Sequence, residues 1–351
     1  MEDNKIKILN KVDLLKSLIR DEKKRSSLYK AGIYWRKKSK FILKEILNKG
    51  INNFRGKDNN IGQSFSDNQN INILNDYFGG LRSIVKFIFE KIFPFKNVFV
   101  RQVHLTSSYQ KELNLYKSKY YEKDEHSINL VNLYRFNNTI SCGCKDISLI
   151  KNKIISNHYL NIADTHNNFS KFVDFRKYKS FFEIGGGFGA NIHFIIENYS
   201  NLKKFIYLDL PAHLYIATQY LKMFYHESVK DYLDIKSNKI VFEDNEKLEI
   251  FCIPPWKIED IDTSIDLFQN SNSFVEMPVS IIKNYAFYID KILSSNSKIM
   301  LSSYGKFNPK ITIDPNLIKK FFKVEFNSIV APSIVPGPAG PGSFNIFHIS
   351  K

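Results

Sequence analysis

The chain has 351 residues, of which 43% are hydrophobic and 25% charged, with 30 Phe and 19 Tyr; this composition supports a sizeable core and excludes wholesale disorder. Lys and Arg outnumber Asp and Glu by 51 to 35, a net charge of +16, and residues 1–60 alone hold 17 basic against 7 acidic side chains. No apolar run approaches the roughly 20 residues of a membrane-spanning helix, Met1-Glu2-Asp3-Asn4-Lys5 opens no secretory signal, and three cysteines cannot form a fully paired disulfide framework, so the expectation is a reduced, cytoplasmic protein.

In residues 6–20, Ile8, Leu9, Val12, Leu15, Leu18 and Ile19 recur at helical spacing. Arg36-Lys37-Lys38-Ser39-Lys40, beside Tyr34 and Trp35, is the tightest basic cluster. It suits a membrane interface or a phosphate, and equally a plain solvated face. Residues 41–51 repeat the helical pattern, residues 50–80 read as an exposed loop, and residues 81–93 carry another helical face that Pro94 ends. A short strand fits within 95–105. Residues 1–170 are therefore expected to form a mainly helical region, serving as a substrate lid, a dimerisation unit or an accessory.

The pattern changes near residue 178. Strands are expected at 180–184, 204–209, 249–253, 264–268 and 298–302, with helices between them. Alternation of this kind demands a parallel sheet covered on both faces. Two last apolar stretches, 322–330 and 343–349, read as an antiparallel pair joined by a Pro- and Gly-rich loop over 336–342. Residues 171–351 are thus expected to form one α/β domain.

Ser180-Phe181-Phe182-Glu183-Ile184 leads into Gly185-Gly186-Gly187-Phe188-Gly189 and then a helix. A glycine turn between strand and helix lets a ligand approach the backbone, and the helix start adds amide donors and a partial positive charge. Asp209 ends the next strand, 20 residues after Gly189, where a carboxylate can accept from both hydroxyls of a ribose. Gly185, Gly187 and Ala190 fit a dinucleotide pattern; Glu183 with Gly185, Gly187 and Gly189 fits the acid-led pattern of S-adenosylmethionine sites. The acid decides for the second, because a carboxylate repels a pyrophosphate and favours an ammonium and a sulfonium.

With Asp209-Leu210-Pro211, Pro254-Pro255-Trp256 and Asn272-Ser273-Phe274-Val275-Glu276-Met277 following in order, the chain resembles the sugar O-methyltransferases of bacterial surface-polysaccharide loci over about residues 180–305. The resemblance implies a class I methyltransferase fold, Rossmann-like, with an antiparallel last strand. It implies S-adenosyl-L-methionine as cofactor and a hydroxyl of a sugar or glycan as acceptor. Glu183, Gly185 and Gly187 would line the methionine end, Gly189 would belong to the same cofactor-binding turn, Asp209 would hold the ribose, and Leu210 would press on the adenine. Pro254 and Trp256 would border the base, although Trp256 packing a helix on the sheet is an equal reading. Asn270, at the end of the fourth strand, would face the reacting end.

A sugar hydroxyl needs a base, and Glu276, expected at a helix start, and His166 are the two candidates. The plainer readings are a carboxylate that stabilises a helix dipole and a packed imidazole. Asp260, Asp262 and Asp266 make no convincing metal site, and Cys142, Cys144 and Cys252 lack zinc spacing and read as thiols. The basic N-terminal region could contact an anionic membrane or a lipid-linked glycan. An RNA acceptor is the alternative that the net charge raises, and the lack of an Asn-Pro-Pro-Tyr-type motif counts against base methylation. A non-enzymatic scaffold of a glycan assembly complex and a dehydrogenase are further alternatives. Oligomeric state is left open.

Overall fold

Two amphipathic helices open the described part of the chain. The computed structural model describes residues 11–56, 61, 121–304, 313–324, 327–332 and 343–348. The helix expected over 81–93, the strand within 95–105, most of the loop over 50–80 and the loop over 336–342 lie outside the described residues. α1 (Val12–Lys23) buries Leu14, Leu15 and Leu18. α2 (Ile33–Lys49) buries Ile42 and Ile46, so each helix buries part of its apolar set, while Val12, Ile33, Phe41 and Leu47 stay exposed. α3 (Glu125–Leu133) starts at Asp124, whose carboxylate accepts from the Ser127 amide at 2.8 Å. β1 (Ile147–Ile150) and β2 (Lys153–Ser156) form an antiparallel hairpin, which adds a strand pair to a region expected to be mainly helical. α4 (Asn157–Phe169) follows directly.

The sheet is built from β3 (Ser180–Ile184), β4 (Lys204–Leu208), β5 (Val229–Lys230), β6 (Glu249–Ile253), β7 (Ile265–Ser271), β8 (Leu293–Tyr304), β9 (Asn327–Pro332) and β10 (Ser343–His348). α5 (Ala190–Asn198) joins β3 to β4, and α6 (Pro211–Tyr225) joins β4 to β5. α7 (Tyr232–Ile235) follows β5, α8 (Val279–Ile292) joins β7 to β8, and α9 (Pro315–Ile318) precedes β9. Every residue of β3, β4 and β6 is buried. This is why they read as continuous apolar runs: a parallel sheet covered by helices hides both faces.

The strand order is β5-β6-β4-β3-β7-β8-β10-β9. Strands β5 to β8 are parallel, and β10 runs antiparallel to both β8 and β9. The order turns back between β3 and β7, with the last strand inserted antiparallel beside β8. This is the class I methyltransferase fold. Ligands of open parallel sheets bind beyond the carboxyl ends of the strands at such a reversal. Among the described residues no helix is long and apolar enough to cross a membrane.

The N-terminal helices pack onto this unit. Tyr232 donates its hydroxyl to Asp21 of α1 at 3.0 Å, and Lys236 lies 2.6 Å from the same carboxylate. Lys236 and Tyr232, together with Arg20, hold the Asp21 carboxyl at about 2 despite the opposing effect of burial. α1 is thereby tied along α6 and α7, and α2 lies against α6.

Candidate functional site

The glycine turn is clasped by the strands on either side. The Gly185 amide donates to the Leu208 carbonyl at 2.8 Å, and Gly185 has φ of 76°, where side-chain-bearing residues are strained. A Cβ on Gly185 would lie 2.3 Å from Ser273 Oγ, and one on Gly186 would lie 2.4 Å from the Glu183 carboxyl carbon. The backbone is therefore wedged between Ser273 on one side and Glu183 on the other. Gly187 takes φ of 70°, and Gly189, at 84°, caps α5.

Glu183 is buried at the end of β3. Its Oε1 accepts from Asn191 Nδ2 at 2.8 Å, while Oε2 has no hydrogen-bond partner among the described residues. Burial pushes this carboxyl up to about 8; the Asp209 charge adds to the shift and the Asn191 bond opposes it. A buried carboxyl with one unsatisfied oxygen is costly unless a donor or a cation reaches it.

Asn191 in turn sits 2.8 Å from His166 Nε2 through its Oδ1. Because Asn191 donates to Glu183, its oxygen is the acceptor and His166 Nε2 carries the proton. His166 is fully buried, with ring centroids 5.0 Å from Phe175 and 5.2 Å from Phe194. Burial lowers its pKa to about 4, so the ring is neutral at physiological pH. It reaches the turn only through Asn191, behind Glu183.

Asp209 closes the other side of the turn. Its Oδ2 accepts from the Gly187 amide at 3.2 Å and lies 2.8 Å from the Tyr207 hydroxyl, while Oδ1 accepts from the Leu210 amide at 2.7 Å. Burial raises Asp209 to about 7; the Glu276 charge adds to this, and the bonds from Tyr207, Leu210 and Gly187 oppose it. The Tyr207 hydroxyl also lies 2.5 Å from the Gly187 carbonyl. Its single proton can serve either acceptor, which lets Asp209 release a lone pair without leaving Tyr207 unsatisfied.

Leu210 is half-buried at the start of α6, and Pro254 is buried where β6 ends. Trp256 is buried, meets the Tyr232 ring edge-on at 5.7 Å and donates to its hydroxyl at 3.2 Å; it packs the turn after β6 against α7. Asn270 donates to the Ile184 carbonyl at 2.8 Å and to Ser273 Oγ at 2.6 Å, and accepts from the Phe274 amide at 3.0 Å. These bonds pin the end of β7 to the end of β3.

Glu276 closes a short 3-10 turn (Phe274–Glu276), and α8 begins three residues later behind Pro278. This corrects the expected helix start: Glu276 lies in the turn before α8, two residues ahead of its cap Pro278. Trp35 Nε1 donates to Glu276 Oε2 at 2.7 Å, and Trp35 meets His213 edge-on at 4.8 Å. Gly32, just before α2, lies so close to Pro278 that a Cβ would sit 2.5 Å from the proline Cδ. Tyr34 is pushed up to about 12 by burial and by the Glu276 charge. The start of α2 thus closes on the segment between β7 and α8, and Glu183, Asp209 and Glu276 form one acidic site.

Sequence reasoning missed Asn191, Tyr207 and Trp35. Two of them carried a signal. Tyr207 lies two residues before Asp209, near the end of β4, and Asn191 is the second residue of the helix after the glycines. Trp35 carried none. The three aspartates weighed for metal are otherwise occupied: Asp260 pairs with Lys257 at 2.6 Å, Asp262 with Lys239 at 2.8 Å, and Asp266 accepts from the Ser180 amide at 3.0 Å.

No protein-family model matches the chain, and no curated protein matches it. Solved structures that match include the mitomycin 7-O-methyltransferase MmcR, 11% identical with a TM-score of 0.37, covering 56% of this chain and 56% of that one. PigF with SAH is 12% identical with a TM-score of 0.35, covering 54% and 55%. TehB from Haemophilus influenzae is 11% identical with a TM-score of 0.34, covering 54% and 61%. The matched region spans little more than half of this chain and of each of these structures.

Proposed function

We propose that the chain binds S-adenosyl-L-methionine over the carboxyl ends of β3, β4 and β6 and transfers its methyl group to a hydroxyl of a sugar, in a surface polysaccharide or its precursor. The observation that carries this reading is the buried Glu183 carboxyl, one oxygen unpartnered, beneath a glycine turn with no room for a Cβ. The residues fit the cofactor. Three carboxylates favour a cationic ligand and repel a pyrophosphate, which argues against the dehydrogenase alternative. A carboxylate has about four lone-pair sites, so Asp209 retains capacity for ribose hydroxyls once Tyr207 turns to the Gly187 carbonyl.

When bound, the cofactor supplies a methyl group on a positively charged sulfur. Glu183 offsets that positive charge, and Asn191 and His166 hold Glu183 in its rotamer. Glu276 takes the proton of the acceptor hydroxyl, with Trp35 fixing the carboxylate. A positioned base of this kind contributes roughly 10²–10⁴-fold in rate. His166, neutral and enclosed, serves as a positioning residue instead of a base. The sugar acceptor rests on the resemblance carried by Asn272 to Met277 and Pro254 to Trp256.

The test is mass spectrometry of surface glycans made with and without the protein. Loss of one methyl per repeat is expected, and unchanged glycans would contradict the acceptor. An RNA acceptor is the second reading, favoured by the exposed Arg36, Lys37, Lys40 and Lys44 of α2; methyl incorporation into RNA would support it. Turnover on either acceptor excludes a non-enzymatic scaffold.

A further inference from the structure

We propose that the outward face of α2 is a docking surface for an anionic membrane. Ile33, Lys37, Lys40, Lys44 and Leu47 follow one another at i, i+4, i+7, i+11 and i+14, which places them on a single stripe. Arg36 and Phe41 flank it. Ile33 is 77% exposed, Leu47 66% and Phe41 46%. Arg36, Lys37, Lys40 and Lys44 are exposed, and none has an ion-pair partner among the described residues.

The apolar residues of this face have no way inward. The opposite face of α2 is fixed by buried Ile42 and Ile46, by the Trp35–Glu276 bond and by Gly32 against Pro278. Among the described residues Ile33 and Leu47, and to a lesser degree Phe41, are thus left exposed on a helix whose anchoring contacts lie on its other face. A lipid surface answers both parts of the stripe at once, with anionic headgroups for the four basic residues and acyl chains for Ile33, Phe41 and Leu47.

Other occupants answer only one part. A second copy laid on this face by a two-fold axis would bring lysines against lysines. A nucleic-acid backbone answers the lysines and leaves Ile33 and Leu47 in water. Charge complementarity together with the interleaved apolar residues favours the membrane.

The same helix holds Glu276 from its inner side, so docking would bring the acceptor side of the site within about one helix diameter, ~10 Å, of the headgroups. A lipid-linked glycan is then the class of acceptor that could reach it. This last step rests on the proposed methyl transfer; the docking itself does not.

The experiment is co-sedimentation of the full chain with phosphatidylcholine vesicles, with and without phosphatidylglycerol, at rising salt. Binding is expected only with the anionic lipid and is expected to weaken as salt rises. The double variant Lys37→Glu, Lys40→Glu should bind at least about tenfold more weakly. Ile33→Ser, Leu47→Ser should also bind more weakly while keeping the salt dependence. Both should melt at the parent's temperature and bind S-adenosylmethionine as the parent does. Indifference to phosphatidylglycerol overturns the proposal, as does undiminished binding by the charge-reversed variant. Tight, salt-sensitive binding to RNA without vesicle binding overturns it in favour of nucleic acid. Vesicle binding by a chain that binds no S-adenosylmethionine leaves the docking surface standing and removes the methyl-transfer reading.

Discussion

The indole N–H of Trp35 donates to the Glu276 carboxylate at 2.7 Å across 241 residues of chain. The N-terminal helical region therefore reaches the Glu276 carboxylate. If Glu276 is the base, Glu276→Gln should lower kcat by about 10²–10⁴-fold with the affinity for S-adenosylmethionine unchanged. Trp35→Phe keeps the ring and removes the N–H, so a smaller fall in kcat, on the order of tenfold, is expected from the lost charge-assisted bond. Steady-state kinetics with varied acceptor separates the two effects, and an unaltered kcat in Glu276→Gln removes it as the base.

If Glu183 and Asp209 line the cofactor, its binding should depend on pH. Both carboxyls are raised by burial, to about 8 and about 7. A cation prefers the ionised forms, so affinity should rise from pH 6 to pH 8, with proton release that depends on the buffer's ionisation enthalpy in calorimetry. The ligand-free protein should show the opposite trend in stability. The folded state binds protons that the unfolded chain, with ordinary carboxyl pKa values, has already lost. Stability is therefore fullest below the unfolded values and falls as pH rises toward the folded ones. Thermal melting between pH 5 and pH 8 tests the sign. Glu183→Gln should flatten the part of both curves nearest pH 8.

Gly186→Ala should be damaging out of proportion to its size. The added methyl would press on the Glu183 carboxyl carbon at 2.4 Å, and overpacking of this kind costs about 1–3 kcal/mol. A lower melting temperature is expected, with affinity for S-adenosylmethionine reduced further than stability alone explains. Normal affinity in the folded variant would show that the turn is not the cofactor cradle.

His166 reaches the site only through Asn191. His166→Phe should raise the KM for S-adenosylmethionine and leave the pH dependence of kcat unshifted, because the imidazole exchanges no proton with the acceptor. Asn191→Asp places a second acid against Glu183 and should weaken binding more. Loss of a kinetic pKa in His166→Phe would return the imidazole to the role of base.

Much of the fold was legible because its signals are local. Ser180–Ile184 and Glu249–Ile253 have the boundaries that their apolar runs give, since every residue in them is buried. β8 begins at Leu293, five residues before the expected start, because Ser294, Ser295 and Asn296 are half-buried or exposed and carry no apolar signal. β5 is two residues long, and the β1–β2 hairpin turns on Lys151 and Asn152 at φ of 48° and 62° without a glycine, so neither announces itself. In the site, Glu183, the glycines and Asp209 are legible because one strand–turn–helix and its neighbouring strand carry them. Side-chain partners depend on packing and were not legible: Trp256 meets Tyr232, Asn270 meets Ile184, and His166 meets Asn191. Trp35 joins the site through a contact that no local pattern encodes.

Calorimetric titration of S-adenosylmethionine into the purified chain and into Asp209→Ala is the decisive experiment for the cofactor site. One site per chain is expected in the parent and a loss of about 10–100-fold in the variant, the scale of one hydrogen bond to a charged group. Equal affinity in the two proteins, or no binding to the parent, would contradict it.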